Sequence, residues 1–239
     1  MTPDLSADQP GEIPGNRIRT TGPTILAVCD ALLCAWFEID KVDQPNFFEW
    51  HNREHMPERM AVPGVRRARR FTALRREDQF LIMYELASVA VLNSRSYQTL
   101  SQKPTPWSLR TRPAFRHEER IVAIPVLATK IGAGGFVLTL NLAADPRLVA
   151  RVMPDHVQSI ARQPGVLAVY LGQYKEQLGT TAPENIEQSS AFILIIEAIS
   201  REHLVPFMAE LRGKDWSDLG VEALKLRVFE MQACVWPLP

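Results

Sequence analysis

Two histidines that could transfer protons stand four residues apart, His51 and His55. Residues at this spacing lie on the same side of an α-helix, so both imidazoles would face the same neighbour. Histidine exchanges protons near neutral pH, which makes it a candidate general acid or base. We predict that His55 is catalytic and that His51 contacts a substrate.

Glu54 completes the pattern H-x-x-E-H, which occurs in inverted zinc proteases and could hold one metal ion through two imidazoles. A pattern of five residues arises readily by chance, Pro57 follows closely, and no helix carrying a third ligand is evident. We therefore expect no metal and no cofactor.

Carboxylates are the second group of candidates. In the predicted first strand, Trp36 and Glu38 alternate with uniformly apolar neighbours, so they should face a mixed, partly polar space. The same alternation places Glu85 of a later strand on that side. Burial in an apolar cavity would raise a carboxyl pKa and permit acid or base catalysis by Glu38 or Glu85. The alternative is an ion pair with Arg67 or Arg69, because buried carboxylates are usually paired.

Eight arginines fall between Arg53 and Arg76. On one predicted strand, alternation sends Arg67 and Arg69 to one face and the other arginines to the opposite face. Arg69 could anchor a substrate carboxylate, since guanidinium groups bind carboxylates through two parallel hydrogen bonds. The alternative is a solvated face whose arginines pair with Glu118 and Glu119 of the last strand of this half.

The elements that must position these residues occur twice. His55 precedes a Pro63-Gly64-Val65 turn as His156 precedes Pro164-Gly165-Val166, about 100 residues later, which is the size of a small domain. Strand and helix signals predict βαββαβ in each half, the ferredoxin-like order. The predicted strands are 32–40, 65–74, 79–87, 114–126, 136–142, 166–177, 191–199 and 224–236, and the predicted helices are 47–60, 88–100, 146–162 and 200–212.

The helix over 47–60 can be divided by angle. At about 100° per residue, its sheet-facing side carries Phe47, Phe48, His51, His55 and Glu58. Both histidines are therefore expected to be at least partly buried. A satisfied core histidine is the alternative to a catalytic one. The predicted equivalents in the second half are Leu148, Val149, Val152, His156 and Ser159.

These features resemble the dimeric α+β barrel superfamily, here as two tandem copies in one chain. The stretch from Phe48 to Arg59, the following Pro63-Gly64 and the arginine-bearing strand are similar to EthD-like members, and Lys103-Pro-Thr-Pro-Trp107 resembles a turn in related proteins. The resemblance implies an α+β fold in which two ferredoxin-like units pack their antiparallel sheets face to face as a barrel. It implies units at 25–131 and 132–239 and compatibility with a homodimer. The segment 1–24 carries Asp, Pro and Gly without an apolar run, which predicts a flexible arm.

The same resemblance implies a cofactor-independent enzyme of isomerase, cyclase or oxygenase type that binds a planar oxygenated metabolite between the sheets. Trp36 and Tyr84 would then form the pocket wall. Haem binding through His55 or His156 is one alternative. A non-catalytic, stress-associated or ligand-binding protein is the other.

Composition limits the partners. The 239 residues carry a formal net charge of zero, which argues against nucleic acid and anionic membranes as partners. No apolar run is long enough to span a bilayer. The three cysteines lack metal-type or disulfide spacing, so we expect a reducing, cytoplasmic environment.

Overall fold

We describe a computed structural model of the chain, which covers residues 29–179, 190–213 and 221–236. Eight antiparallel strands close into a barrel in the order β1-β3-β2-β8-β5-β7-β6-β4. Closure leaves no unpaired strand edge in this sheet. The strands are β1 Ala31–Glu38, β2 Val65–Ala73, β3 Arg76–Leu86, β4 Arg116–Lys130, β5 Phe136–Ala144, β6 Val166–Gly179, β7 Ala191–Ala198 and β8 Val221–Val235.

The helices connect these strands on the outside of the barrel. The described α-helices are α1 Gln44–Trp50, α2 Met56–Met60, α3 Arg95–Gln102, α4 Pro106–Thr111, α5 Pro146–Ala161 and α6 Val205–Gly213. One π-helical turn, His51–His55, joins α1 to α2. Short 3-10 turns at Val89–Asn93 and Arg112–Ala114 complete the first half.

Each half of the barrel has the ferredoxin-like strand order. The first half runs β4-β1-β3-β2 and the second runs β8-β5-β7-β6, and the halves join through the β2–β8 and β4–β6 pairs. The predicted fold class, two βαββαβ units forming an α+β barrel, is confirmed. The unit boundary at residue 131 stays a prediction. The arm predicted at 1–24 lies outside the described residues.

Several predicted boundaries were wrong. The helix expected over 88–100 is a 3-10 turn followed by α3, because Ser94 adopts an extended backbone and its Oγ accepts the amide hydrogen of Tyr97 at 3.2 Å. The last helix, α6, begins at Val205 rather than at the predicted residue 200. The last strand of the first half continues to Lys130, since its pairing with β6 extends that far.

Alternation along the strands creates three apolar clusters. Trp36, with Phe71 and Tyr170, belongs to the cluster inside the barrel. Phe37, next to Trp36, belongs to the cluster beneath the first-half helices. The third cluster lies beneath the second-half helices, α5 and α6. The predicted division of β1 into a helix-facing side and an interior side therefore holds.

Trp36, Phe71 and Tyr170 are buried between the sheets, and the substrate space predicted there stays a prediction. The described cavities that carry candidate chemistry lie between helices and sheet. None of the described helices is long and apolar enough to cross a membrane.

Candidate functional site

Three of the predicted site residues, His51, His55 and Tyr84, line one cavity between the helices and the sheet of the first half. We call it the first-half cavity. Its volume is about 60 Å³, room for about two water molecules. Its other lining residues are Leu33, Ala35, Phe37, Trp50, Arg59, Ile82, Tyr97, Arg112, Phe115, Glu118 and Arg120.

The π-helical turn that carries both histidines widens the helix beside this cavity. The amide of Met56 donates to the carbonyl of His51, five residues back. Pro57 follows and has no amide hydrogen, so the regular hydrogen-bond ladder cannot continue through it. Inserted π turns are frequent at functional sites.

The extra residue changes which side chains are buried. Phe47, His51 and Met56 are buried, at spacings of four and then five, whereas Glu58 is only half-buried. In the unbroken helix α5, the buried positions are four apart throughout, at Val149, Met153 and Val157. The prediction that Glu58 lies on the buried side of a regular α-helix was therefore wrong. By burial, the second-half equivalent of His51 is Met153 rather than the predicted Val152.

His51 has no exposed surface, and its Nδ1 lies 3.1 Å from Nη1 of Arg70. Burial lowers the pKa of Arg70 to about 10, so this guanidinium still carries its proton at neutral pH and can only donate. Nδ1 of His51 must then accept, which leaves the ring hydrogen on Nε2. That atom is buried without a hydrogen-bond partner. His51 therefore presents an unsatisfied N–H donor in a residue that lines the cavity.

His55 lies between aromatic and cationic neighbours. Its ring stacks on Trp50 with centroids 4.5 Å apart and lies 5.5 Å from the ring of His51. Burial, and then the charges of Arg59 and Arg112, lower the pKa of His55 to about 3. Burial likewise lowers the pKa of His51 well below its usual value. Both imidazoles are neutral at physiological pH.

Tyr84 supplies a second hydrogen-bond donor. The residue is 6% exposed and its Oη is buried without a partner. Burial raises the pKa of Tyr84, so the phenol stays protonated. An unsatisfied buried hydroxyl and an unsatisfied buried imidazole N–H around the same space are unusual, because buried polar groups are nearly always hydrogen-bonded. The pair indicates a place for a polar ligand atom or water.

Arginines form the outer rim of the first-half cavity. Arg120 donates to the hydroxyl of Tyr97, and the guanidinium of Arg59 lies 4.8 Å above the Tyr97 ring. Arg112 is more exposed and lies 3.7 Å from Glu118. With one carboxylate among three guanidinium groups, the rim is net positive and favours an anionic ligand.

Glu54 fixes the helix rather than holding a metal. Its Oε1 accepts hydrogen bonds from Nε1 of Trp50 and from Oγ of Ser108, both at 3.1 Å, and from Thr105. These contacts tie the π turn to α4. Within the described part of the chain, no group of three or more His, Cys, Asp or Glu residues could bind a metal ion.

Two of the predicted residues, Glu85 and Arg69, lie inside the barrel and bind each other. Nη2 of Arg69 is 3.0 Å from Oε1 of Glu85, and Glu85 also binds Arg67 and lies 3.7 Å from Nζ of Lys130. Arg69 makes two further bonds, each 2.8 Å long, to the carboxylate of Glu197 from the second half. The ion-pair interpretation describes these residues better than the substrate-anchor interpretation.

Trp36 and Glu38, the two remaining predicted residues, lie away from the first-half cavity. Trp36 is inside the barrel, with the Arg227 guanidinium 5.0 Å from the centre of its ring. Glu38 ends β1, where it accepts a hydrogen bond of 2.9 Å from Gln79 and lies 3.3 Å from Arg76. Neither residue contributes to the lining of the first-half cavity.

The predicted pairing of the arginine strand with Glu118 and Glu119 is wrong. The arginines lie on β2, whose neighbours in the barrel are β3 and β8, so β4 is out of reach. Glu119 binds Arg227 and Lys225, and Glu118 binds Arg112.

The second half has its own cavity, larger and differently lined. It has a volume of about 400 Å³ between α5, α6 and β7. His156 and His203 line it together with Glu202 and Glu210. Nδ1 of His203 lies 2.9 Å from Oγ of Ser200.

The sequence did not single out the aromatic and cationic partners of His55. Trp50, Tyr97 and Arg120 come from three different elements, and only the packing of α3 and β4 against the π turn brings them together. Arg59 stands four residues after His55, and that spacing alone could have indicated it.

No protein-family model and no curated protein sequence matches this chain. Solved structures do. An anthrone oxidase-like protein superposes with a TM-score of 0.61 at 10% identity, over 86% of this chain and 92% of its own. A Lactobacillus acidophilus protein assigned as a monooxygenase superposes with a TM-score of 0.53 at 10% identity, over 87% of this chain and 96% of its own. What they share with this chain is the fold.

A Fusobacterium nucleatum protein, also assigned as a monooxygenase, gives a TM-score of 0.52 at 11% identity, over 86% of this chain and 93% of its own. At these identities the likeness shows the fold alone. The superfamily resemblance, the EthD-like assignment and the tandem origin of the halves stay predictions.

Proposed function

We propose that the chain is an enzyme that removes a proton from a planar, oxygenated, anionic metabolite bound at the first-half cavity, without a cofactor. The observation that carries the proposal is the set of groups around one aromatic-walled space. His55 is a neutral proton acceptor, while the N–H of His51 and the hydroxyl of Tyr84 are buried donors without partners.

These groups suit a carbon acid next to a carbonyl or phenol. His55 would take the proton from carbon, and the electron pair of the broken C–H bond would move onto the substrate oxygen. Donors already aimed at the place where that negative charge develops stabilise it more than water does. His51 and Tyr84 are the donors available for this.

The arginine rim both recruits the substrate and adjusts the base. Burial, and after it the guanidinium charges of Arg59 and Arg112, depress the pKa of His55 in the free protein. A bound anion offsets their field, so the pKa of His55 rises toward the range in which general bases are effective. His55 is therefore a stronger base when the substrate is bound.

The space of about 60 Å³ holds only the reacting edge of such a molecule. The rest of the ligand would lie among the rim arginines, where Arg112 is exposed. Phe115, on the segment that follows Arg112, forms part of the cavity wall. Binding therefore requires these rim side chains to move outward.

Anthrone-2-carboxylate is a suitable first probe, because it is planar and anionic and has an acidic CH₂ group across the ring from its carbonyl. Removal of that proton gives an enolate, and reaction with one O₂ gives the quinone and one H₂O. Exchange of the CH₂ hydrogens in D₂O reports the proton transfer, and oxygen consumption reports the complete reaction.

We expect wild-type protein to accelerate both processes. We expect His55→Gln to abolish the acceleration and Tyr84→Phe to lower it by a factor of roughly 100 to 1,000, the range expected when one oxyanion donor is lost. Gln102→Ala, an exposed change on α3, is the control. Equal rates for wild type and His55→Gln would contradict the proposal and favour a non-catalytic, ligand-binding role.

Haem binding in the second half is the second candidate, and one observation favours it. His156 lines a cavity of about 400 Å³, within the size range of ligand sites, with an apolar wall that includes Met153, Leu194 and Phe207. An imidazole ligand and a ring-sized apolar wall fit haem. The described lining has carboxylates, Glu202 and Glu210, but no lysine or arginine for the propionates, so the fit is partial.

Titration of the purified protein with haemin tests this candidate. A Soret band that saturates at one equivalent in wild type and is lost in His156→Ala would support it. The matched control is His117→Asn, which changes an exposed histidine with a positive φ of 49° that asparagine tolerates. A band of equal intensity in His156→Ala would exclude His156 as the axial ligand.

A further inference from the structure

A third cavity lies where the two halves of the barrel meet. It has a volume of about 290 Å³ and is bordered by the β2–β3 turn of the first half and by β8 and α6 of the second. We call it the arginine cleft. Its lining residues are Ala73, Leu74, Arg75, Arg76, Gln79, Arg201, Val205, Met208, Leu226, Arg227 and Val228.

Among the described residues, the lining of the cleft includes four arginines and no aspartate or glutamate. Two of the guanidinium groups have carboxylate partners outside the lining. Arg76 lies 2.8 Å from Asp78, and Arg227 binds Glu119. These pairs neutralise only part of the charge.

The other two arginines are available to a ligand. Within the described ranges, neither Arg75 nor Arg201 has an ion pair or a hydrogen bond through its side chain.

The remaining wall is apolar. Leu74, Met208 and Leu226 line the cleft, and Val205, at the first turn of α6, is 51% exposed although it is a large apolar residue. The volume corresponds to about ten water molecules. A ligand that fits therefore has an apolar body of one or two rings and a negative head group.

We propose that the arginine cleft binds a small aryl carboxylate, with the carboxylate held by Arg75 and Arg201 and the ring packed on Leu74, Met208 and Leu226. Guanidinium groups match a carboxylate through paired hydrogen bonds. The N-terminus of α6 lies at the same place and adds a favourable partial charge. This site is separate from the first-half cavity and does not depend on the catalytic proposal.

Isothermal titration calorimetry of the full chain with 2-naphthoate tests the site. We expect saturable binding at one equivalent that weakens at high salt. The variant Arg75→Gln/Arg201→Gln should weaken it at least about tenfold, since each lost charge-assisted hydrogen bond is worth at least that factor. Arg53→Gln/Arg110→Gln removes the same number of exposed charges elsewhere and should leave the affinity unchanged.

Two further ligands separate the contributions. Neutral 2-naphthalenemethanol and inorganic phosphate should each bind at least about tenfold more weakly than 2-naphthoate, because one lacks the charge and the other lacks the apolar body. The proposal is overturned if either of them binds as tightly as 2-naphthoate.

A second pair of variants distinguishes this cleft from the first-half cavity, whose rim is also cationic. Loss of 2-naphthoate binding in Arg59→Gln/Arg112→Gln, with full retention in Arg75→Gln/Arg201→Gln, would overturn the assignment. The absence of any saturable binding to wild type would overturn it as well. Neither result depends on whether the protein turns over anthrone-2-carboxylate.

Discussion

The Nδ1 atom of His51 lies 3.1 Å from Nη1 of Arg70, and this contact sets the tautomer of a fully buried imidazole. Arginine has no acceptor, so the ring hydrogen of His51 must be on Nε2. Arg70 is itself held by Oδ1 of Asn52 at 2.8 Å and by Oε1 of Gln232 at 3.1 Å. A residue of β2 thus prepares a hydrogen-bond donor for the first-half cavity.

Replacing Arg70 should remove the preference of His51 for the tautomer with its ring hydrogen on Nε2. In Arg70→Met we expect His51 to lose its strict Nε2–H form and the protein to lose about 1–3 kcal/mol of unfolding free energy, because Nδ1 is left buried without a donor. Nitrogen chemical shifts of the imidazole report the tautomer. Arg53→Met, which removes a guanidinium that is 71% exposed, is the control. An unchanged Nε2–H signal in Arg70→Met would contradict the assignment.

The neutral state of His55 should make the protein sensitive to acid. Its pKa is about 3 in the folded chain and 6.5 in the reference state, so the unfolded chain binds more protons between these values. The unfolding free energy should be level above about pH 6.5 and fall below it, by at most about 2 kcal/mol for this residue at pH 5. The buried imidazole of His51 acts in the same direction.

Denaturant unfolding at pH 7.5 and at pH 5 measures this dependence. His55→Gln should remove about half of the decrease, since His51 still contributes the rest. Gln102→Ala, on the exposed side of α3, should keep the full decrease. The argument fails if His55→Gln and wild type lose the same free energy over this pH range.

The two Pro-Gly-Val turns recur for a backbone reason. Gly64 and Gly165 have positive φ values of 93° and 75°, which side chains with a Cβ rarely adopt. A Cβ at Gly165 would also lie 2.1 Å from Cδ2 of His203. We expect Gly165→Ala to cost about 2 kcal/mol of unfolding free energy. Gly135→Ala, where a Cβ would meet nothing within 4 Å, is the control and should cost far less.

Alternation along strands was the most informative part of the sequence. It separated Trp36 from Phe37, and the structure puts these two residues on opposite faces of the sheet. This works because neighbouring side chains of a strand point to opposite sides whatever the tertiary context. The burial of Glu85 was predicted from the same alternation, and the burial of His51 from its position on the sheet-facing side of its helix. Tyr84, which was expected beside Trp36 in a pocket wall between the sheets, lies on the helix side instead.

The sequence was a poorer guide to which residues of the first helix are buried. The π turn moves the buried position from Glu58 to Met56 and Met60, and a sequence period of 3.6 residues cannot indicate one inserted residue. The ion pairs of the barrel interior were also beyond the sequence. Arg69 binds Glu197, a residue 128 positions away. No local pattern predicts a pairing at that distance.

That pairing also predicts how the halves stabilise each other. Arg69 and Glu197 have no exposed side-chain surface, and Oε2 of Glu197 also accepts the amide hydrogen of Gly134 at 3.0 Å. Although burial opposes it, the Arg69 guanidinium holds the pKa of Glu197 below its usual value. Removing one partner leaves the other charge buried and unpaired, which costs about 3–5 kcal/mol.

We therefore expect Arg69→Met and Glu197→Leu each to destabilise the protein by that amount. The double variant should lose clearly less than their sum, because it leaves no isolated charge at this pair and Glu85 keeps Arg67 as a partner. Chemical unfolding of the four proteins gives the coupling energy. The exposed Arg53–Glu49 pair is the matched control and should couple by no more than about 0.5 kcal/mol. Additive losses at Arg69 and Glu197 would mean that the two residues act through packing alone and not as an ion pair across the barrel.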